Sequence, residues 1–173
     1  MNADALGLPE EAGNSKKELI VKKMQAALAS EKQSEYQYWW GKYTVLGPMF
    51  NSIQKEFADH EEEERAHAEL LAERLYELGG MPVFNPNDLH TVADCPYPKY
   101  EEEDNQCTMV QLKQQLEAEE CAIKNYEELI ALTADCDPAT NDVIVEILRG
   151  ENEHVKDLKK FIVSLELSSG KHD

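Results

Sequence analysis

Residues 53–78 carry an apolar stripe at helical spacing that three polar side chains interrupt. The stripe reads Ile53, Phe57, His60, Glu64, His67, Leu71, Leu75, Leu78. Steps of three and four residues put all of these on one face of a helix, the face that turns toward neighbouring helices. A chain built this way must bury an imidazole, a carboxylate and a second imidazole, which costs free energy unless something pairs with them. Glu64 and His67 are one turn apart and point the same way. They can be ligands of a metal ion or an ordinary surface pair, and the motif alone does not decide.

Three further stripes share the pattern. Asn14 or Ser15 can cap a first helix that runs to about Leu46 and stops at Gly47-Pro48. Its stripe is Ile20, Met24, Leu28, Glu31, Glu35, Tyr38, Lys42. The second helix starts near Met49 and ends at Gly79-Gly80. Pro82, Pro86, Pro96 and Pro98 then break the stretch 81–107, leaving room for a helical turn or two at 88–93. Thr108 with Gln111 reads as a capping box for a third helix reaching about Ala134, striped by Met109, Leu112, Leu116, Glu119, Ile123, Tyr126 and Ile130. Asp137-Pro138 opens a fourth helix that ends near Leu167. Its stripe is Ile144, Ile147, Glu151, His154, Leu158, Ile162, Leu165, and Gly150 sits inside it at roughly 1 kcal/mol against Ala. The expected fold is all-α: a tail over 1–15, a four-helix bundle over 16–168 and a tail over 169–173. The long connection can cross the length of the bundle and make helices two and three parallel.

The polar interruptions are in register. Glu31 and Glu64 lie 33 residues apart, Glu119 and Glu151 32 apart, while Glu64 to Glu151 and His67 to His154 are both 87. Tyr38 follows Glu31 by seven residues, and Tyr126 follows Glu119 by seven. The core polar positions thus form a degenerate two-fold repeat. Four neighbouring carboxylates repel one another strongly. Protons could remove part of that charge, or two divalent cations could neutralise it, with His67 and His154 completing the coordination. Such an oxygen-and-nitrogen donor set suits iron or manganese better than structural zinc. Tyr38 and Tyr126 could orient the carboxylates, though tyrosines are also common core residues. The competing explanation is that these residues only hydrogen-bond to one another.

The net charge of −18 opposes nucleic acid and anionic membranes as partners. No apolar run approaches a membrane-spanning length and residues 1–15 hold no apolar leader core, so the expected compartment is the cytoplasm. Cys95, Cys107, Cys121 and Cys136 form no CxxC and no zinc spacing. In a cytosolic protein they read as free structural thiols.

The segment 31–38, Glu64-Arg65-Ala66-His67, Glu119 and Glu151-Asn152-Glu153-His154 resemble the bacterioferritin-type di-iron site of ferritin-like bundles. There, two helices give one Glu each and two give Glu-x-x-His. The resemblance spans 16–167. It implies two irons per subunit bridged by Glu64 and Glu151, with Glu31 and Glu119 as terminal ligands and one His, His67 or His154, on each iron. Tyr76-Glu77-Leu78-Gly79-Gly80, the segment 116–123 and Asp137-Pro138 more narrowly resemble the Dps-like proteins called thioferritins. This implies a bundle without a fifth helix and a dodecameric homo-oligomer. It implies a ferroxidase that oxidises Fe(II), preferably with hydrogen peroxide and otherwise with oxygen, stores the ferric product and protects against oxidative stress. It also implies a redox pair, Cys95 with Cys121, while Cys107 and Cys136 have no counterpart. Asp4, Glu10 and Glu11 against Lys16 and Lys17 predict no DNA binding by the tail. The glutamates 61–63 and the acidic run 101–104 are pore candidates or solvated faces. Trp39 and Trp40 read as packing or subunit contacts, and His60 has no assigned role. Two other functions remain open on sequence: a di-metal peroxidase or manganese catalase-like enzyme without storage, and a metal-free helical oligomer or DNA-compacting protein.

Overall fold

The computed structural model describes residues 10–83, 85–98 and 107–168, with side chains from Ser15 onward. It has helices α1 (Glu10–Thr44), α2 (Phe50–Glu77), a short α3 (Leu89–Val92), α4 (Thr108–Thr133) and α5 (Pro138–Ser168), with no strand among the described residues. The cross-links give the directions. Glu35 meets Arg65 at 3.0 Å while Lys42 pairs with Glu61, so α1 and α2 are antiparallel. Leu46, just past the end of α1, meets Thr108 at the start of α4 at 3.0 Å. Arg74 near the end of α2 meets Asp137 at the start of α5 at 2.8 Å. Both of those pairs are therefore antiparallel, and α2 and α4 run parallel, as the long connection leads one to expect.

Local chemistry sets the helix ends. Gly79, at φ 79°, closes α2 with its N–H on Tyr76 O at 2.9 Å, and Gly80 N–H reaches Leu75 O at 2.9 Å. Only a residue without Cβ takes that left-handed position freely. The Asp137 side chain accepts the Thr140 N–H at 3.1 Å and caps α5. Within the connection, Pro86–Asp88 forms a 3-10 turn that leads into α3.

Three expectations need correction. Helix α1 begins at Glu10, earlier than the start expected at Asn14 or Ser15. Acids at Glu10 and Glu11 suit a helix N-terminus, and one Gly at 13 does not stop a helix. Thr108 does not close a capping box. Its hydroxyl donates to Leu46 O at 2.6 Å and accepts Leu46 N–H at 3.0 Å, tying α4 to the α1–α2 turn. On α4 the buried side chains include Gln115, Ala122 and Leu129, whereas Leu116, Ile123 and Ile130 are only half-buried.

Two apolar clusters fill the bundle. One gathers Ile20, Met24, Leu28, Leu71, Leu75, Leu129, Ile144 and Ile147. The other gathers Val45, Ile53, Phe57, Leu112, Leu158, Ile162 and Leu165. The polar stripe positions lie between them in every long helix, so the apolar ends position a polar middle.

Candidate metal centre

Glu31 from α1, Glu64 and His67 from α2, Glu119 from α4, and Glu151 and His154 from α5 are all buried. Their donor atoms form two groups, Glu31–Glu64–His67–Glu151 and Glu64–Glu119–Glu151–His154, within each of which the atoms lie within 4.8 Å of one another. The groups share Glu64 and Glu151. His67 Nδ1 is 3.0 Å from Glu151 and 3.3 Å from Glu31. His154 Nδ1 is 3.2 Å from Glu64 and 3.5 Å from both Glu119 and Glu151. Each histidine therefore turns Nδ1 inward.

The tyrosines cross between the halves of the repeat. Tyr38 of the first half donates its hydroxyl to Glu119 of the second, and Tyr126 of the second donates to Glu31 of the first. Burial, then the charge of Glu119 for Tyr38 and of Glu31 for Tyr126, lifts both phenols well above their usual range. Both therefore stay protonated donors.

The inner atoms fit a pair of divalent cations. Glu31 Oε2, Glu64 Oε1, both Glu151 oxygens, His67 Nδ1 and His154 Nδ1 are buried without hydrogen-bond partners. They meet at ion-pair distance but not in hydrogen-bond geometry. Leaving so many polar atoms unpaired is expensive, and a cation on each group would satisfy them. Without metal, protons take over that task. Burial, then the charges of Glu151, Glu31 and Glu119, pushes Glu64 far up. Burial with Glu31 and Glu119 lifts Glu151 to about 8. Burial opposes a charge on His67, yet its contacts with Glu151 and Glu31 raise it to about 10. His154 is likewise opposed by burial and raised far more by Glu119, Glu151, Glu63 and Glu64. Burial would also raise Glu119, but contacts with His154, Glu151 and Tyr38 hold it at about 2.

Several contributors were not visible in the spacing. Glu63 Oε2 holds the outward Nε2 of His154 at 2.7 Å. Glu61 is buried between Lys42 and Arg65. Of the glutamates 61–63, then, only Glu62 fits a plain solvated face; the run 101–104 lies outside the described residues. Gly150 makes room for the His67 ring, and a Gly beside Glu151 inside a helix was the one signal that could have pointed to it. His60 is buried and stacks on His154 with ring centroids 4.0 Å apart. Burial and His154 push its own pKa down to about 4.

Cys95 and Cys121, the two that the resemblance pairs, are disulfide-bonded with Cα atoms 5.8 Å apart, so the expectation of free thiols drawn from the compartment does not hold for them. Cys95 N–H donates to Ser30 Oγ at 3.3 Å, and the Asn125 amide lies 3.3 Å from Cys95 Sγ, so the bond is moored beside Glu31 and Tyr126 in sequence. Among the described residues Cys107 and Cys136 are free. Trp39 is exposed and stacks on Tyr36 at 5.4 Å, making an aromatic surface on α1 with Tyr43.

Residues 21–168 match the Ferritin family, described as a ferritin-like domain. Over 137 residues the chain is 34% identical to the DNA protection during starvation protein of Pyrococcus furiosus, a match covering 79% of this chain and 71% of that protein. The fold superposes on a dodecameric thioferritin, a bacterioferritin-related protein from Bacteroides fragilis, with TM-score 0.84. That pair is 32% identical and covers 93% of this chain and 97% of the other. Dps from Thermosynechococcus elongatus shares the fold, with TM-score 0.81 at 21% identity, covering 87% of this chain and 94% of the other.

Proposed function

Because the chain belongs to the Ferritin family of ferritin-like domains, we propose that it is a ferroxidase and iron store that consumes hydrogen peroxide, with oxygen as the other acceptor. The observation that carries this reading is the pair of donor groups that share Glu64 and Glu151 and leave their inner atoms unpaired. Two Fe(II) are the substrate. Glu64 and Glu151 bridge them, Glu31 with His67 holds one, and Glu119 with His154 holds the other. Tyr38 and Tyr126 fix the carboxylates of Glu119 and Glu31 from behind. Each Fe(II) gives up one electron. One peroxide takes both electrons and two protons and becomes two waters, so no one-electron product escapes.

Cys95 and Cys121 act as a redox pair in this reading. Their dithiol form gives two electrons and two protons as the disulfide forms, enough to reduce one peroxide to water. The product is stored as ferric mineral in a dodecameric shell, with the Tyr36–Trp39–Tyr43 surface as a subunit contact. A solved relative at 32% identity is described as dodecameric, which supports that part. The name of the Pyrococcus furiosus relative refers to DNA. A net charge of −18 argues against a polyanion as partner here, and no gel shift is expected at low salt. No helix of the described residues is long and apolar enough to cross a membrane, and the cytoplasm is the compartment this reading assigns.

Iron loading of a Glu64→Ala, His154→Ala chain tests the proposal. Fe(II) oxidation should fall to the uncatalysed rate while the helical content stays. Oxidation at the parent rate would sink it.

A further inference from the structure

We propose that Glu56, His60 and Asp157 form a third divalent-cation site, set between solvent and the paired carboxylate centre. His60 is the anchor. Its side chain is 4% exposed, and Nε2 faces Glu56 Oε1 at 3.5 Å, too far for a hydrogen bond. Nδ1 is buried with no hydrogen-bond partner. One ring face lies on His154, and the ring meets Tyr38 edge-on at 5.0 Å between centroids. Packing thus fixes the ring with Nδ1 unpartnered and with Nε2 aimed at Glu56 without a hydrogen bond, an expensive arrangement unless a ligand completes it.

Glu56 from α2 and Asp157 from α5 complete a set with His60 whose donor atoms lie within 4.8 Å of one another. Two carboxylates and one imidazole match a borderline divalent ion such as Fe(II), Co(II) or Zn(II). Two facing carboxylates repel, and a cation between them removes the repulsion. Lys160 reaches Asp157 Oδ1 at 2.5 Å, but its side chain is 63% exposed and it serves only that carboxylate.

The position gives the site a task. The side chains of Glu56 and Asp157 are 25% and 29% exposed. His60 behind them is buried, and it also belongs to a second donor group with Glu119 and His154. One imidazole therefore stands in an outer, half-wet group and borders the inner, dry one. An incoming ion can trade waters for Glu56 and Asp157, then for His60, before it reaches His154. Binding at the outer group stands by itself; the task as a station on the way in rests on the six-residue cluster being the metal centre.

Anaerobic Co(II) titration, read by equilibrium dialysis and visible absorption, tests the proposal. The parent is compared with Glu56→Gln/Asp157→Asn, and with Glu69→Gln/Glu127→Gln, which removes the same charge from exposed positions. Parent and control should bind a third Co(II) beyond the pair at the centre. In the Glu56→Gln/Asp157→Asn chain that third ion should weaken by about tenfold or more, with the pair retained. In stopped flow, the centre of that variant should fill more slowly than in the control. Equal third-ion binding in variant and control, or no third ion in the parent, would overturn the site. Equal filling rates would overturn the route. None of these results touches iron oxidation by the central six residues, which the Glu64→Ala, His154→Ala chain tests separately.

Discussion

A Cβ on Gly150 would stand 2.7 Å from Nε2 of His67. The ring occupies the space that any other residue at 150 would claim, and its inward Nδ1 faces Glu151 at 3.0 Å. A glycine here costs α5 roughly 1 kcal/mol of helix propensity against alanine, yet it lets the imidazole lie flush against the helix. Gly150→Ala should therefore gain propensity and displace His67. Co(II) affinity at the half holding Glu31 should fall by about tenfold, while helical content is unchanged. Titration followed by circular dichroism checks both; unchanged affinity would show that the ring can move without loss.

Glu63 is 57% exposed on its side chain and still holds the outer nitrogen of buried His154 at 2.7 Å. The carboxylate fixes which ring nitrogen points inward and keeps the ring from turning. The His154 contact in turn holds the Glu63 carboxyl below its usual range. Glu63→Gln should weaken Co(II) binding at the His154 half by about ten- to a hundredfold, with Glu62→Gln at its neighbour as the silent comparison. Equal effects of the two substitutions would mean that only surface charge is at work.

The crossed tyrosines give a symmetric expectation. Tyr38→Phe strips a donor from Glu119, and Tyr126→Phe strips one from Glu31. A hydrogen bond to a charged buried group contributes about 1.5–3 kcal/mol. Each substitution should lower the thermal stability of the metal-free protein and slow Fe(II) oxidation, by similar amounts, because the two positions are equivalent in the repeat. A large effect at one tyrosine alone would mean that only one half of the centre turns over.

How much of this was legible in the chain differs from helix to helix. On α2 and α5 the apolar stripe and the buried stripe coincide, from Ile53 to Leu75 and from Ile144 to Leu165, so the polar residues in them were bound to be buried. On α4 they diverge by one position: Gln115, Ala122 and Leu129 face inward, while Leu116, Ile123 and Ile130 are half-buried beside them. A single apolar stripe cannot say which neighbour it faces. Glu119 and Tyr126 were still placed correctly in the buried face because both stripes include them. Glu63 and Asp157 were invisible for a different reason. Their partners sit on the opposite, antiparallel helix, and the register between α2 and α5 leaves no short-range spacing to read.

Protons and metal compete for the centre, and the sign follows from the raised groups. His67 rises from 6.5 to about 10, and Glu151 rises from 4.5 to about 8. Near neutral pH both hold a proton in the metal-free protein, and a bound cation must displace it. Binding of Zn(II), a redox-silent probe, should release protons and tighten as pH rises toward 8. Stability moves the other way without metal. For both groups the folded protein binds more protons than the unfolded chain over these windows, so stability falls with pH. The His67 contribution is complete below about 6.5 and lost as pH climbs through about 10. The Glu151 contribution is complete below about 4.5 and lost through about 8. The metal-free melting temperature should therefore drop between pH 6 and pH 9 and the Zn(II)-loaded one much less, so that the gap between them widens. Calorimetry of both forms at several pH values decides it. A gap that narrows with pH would mean that protons do not occupy the donor atoms that metal needs.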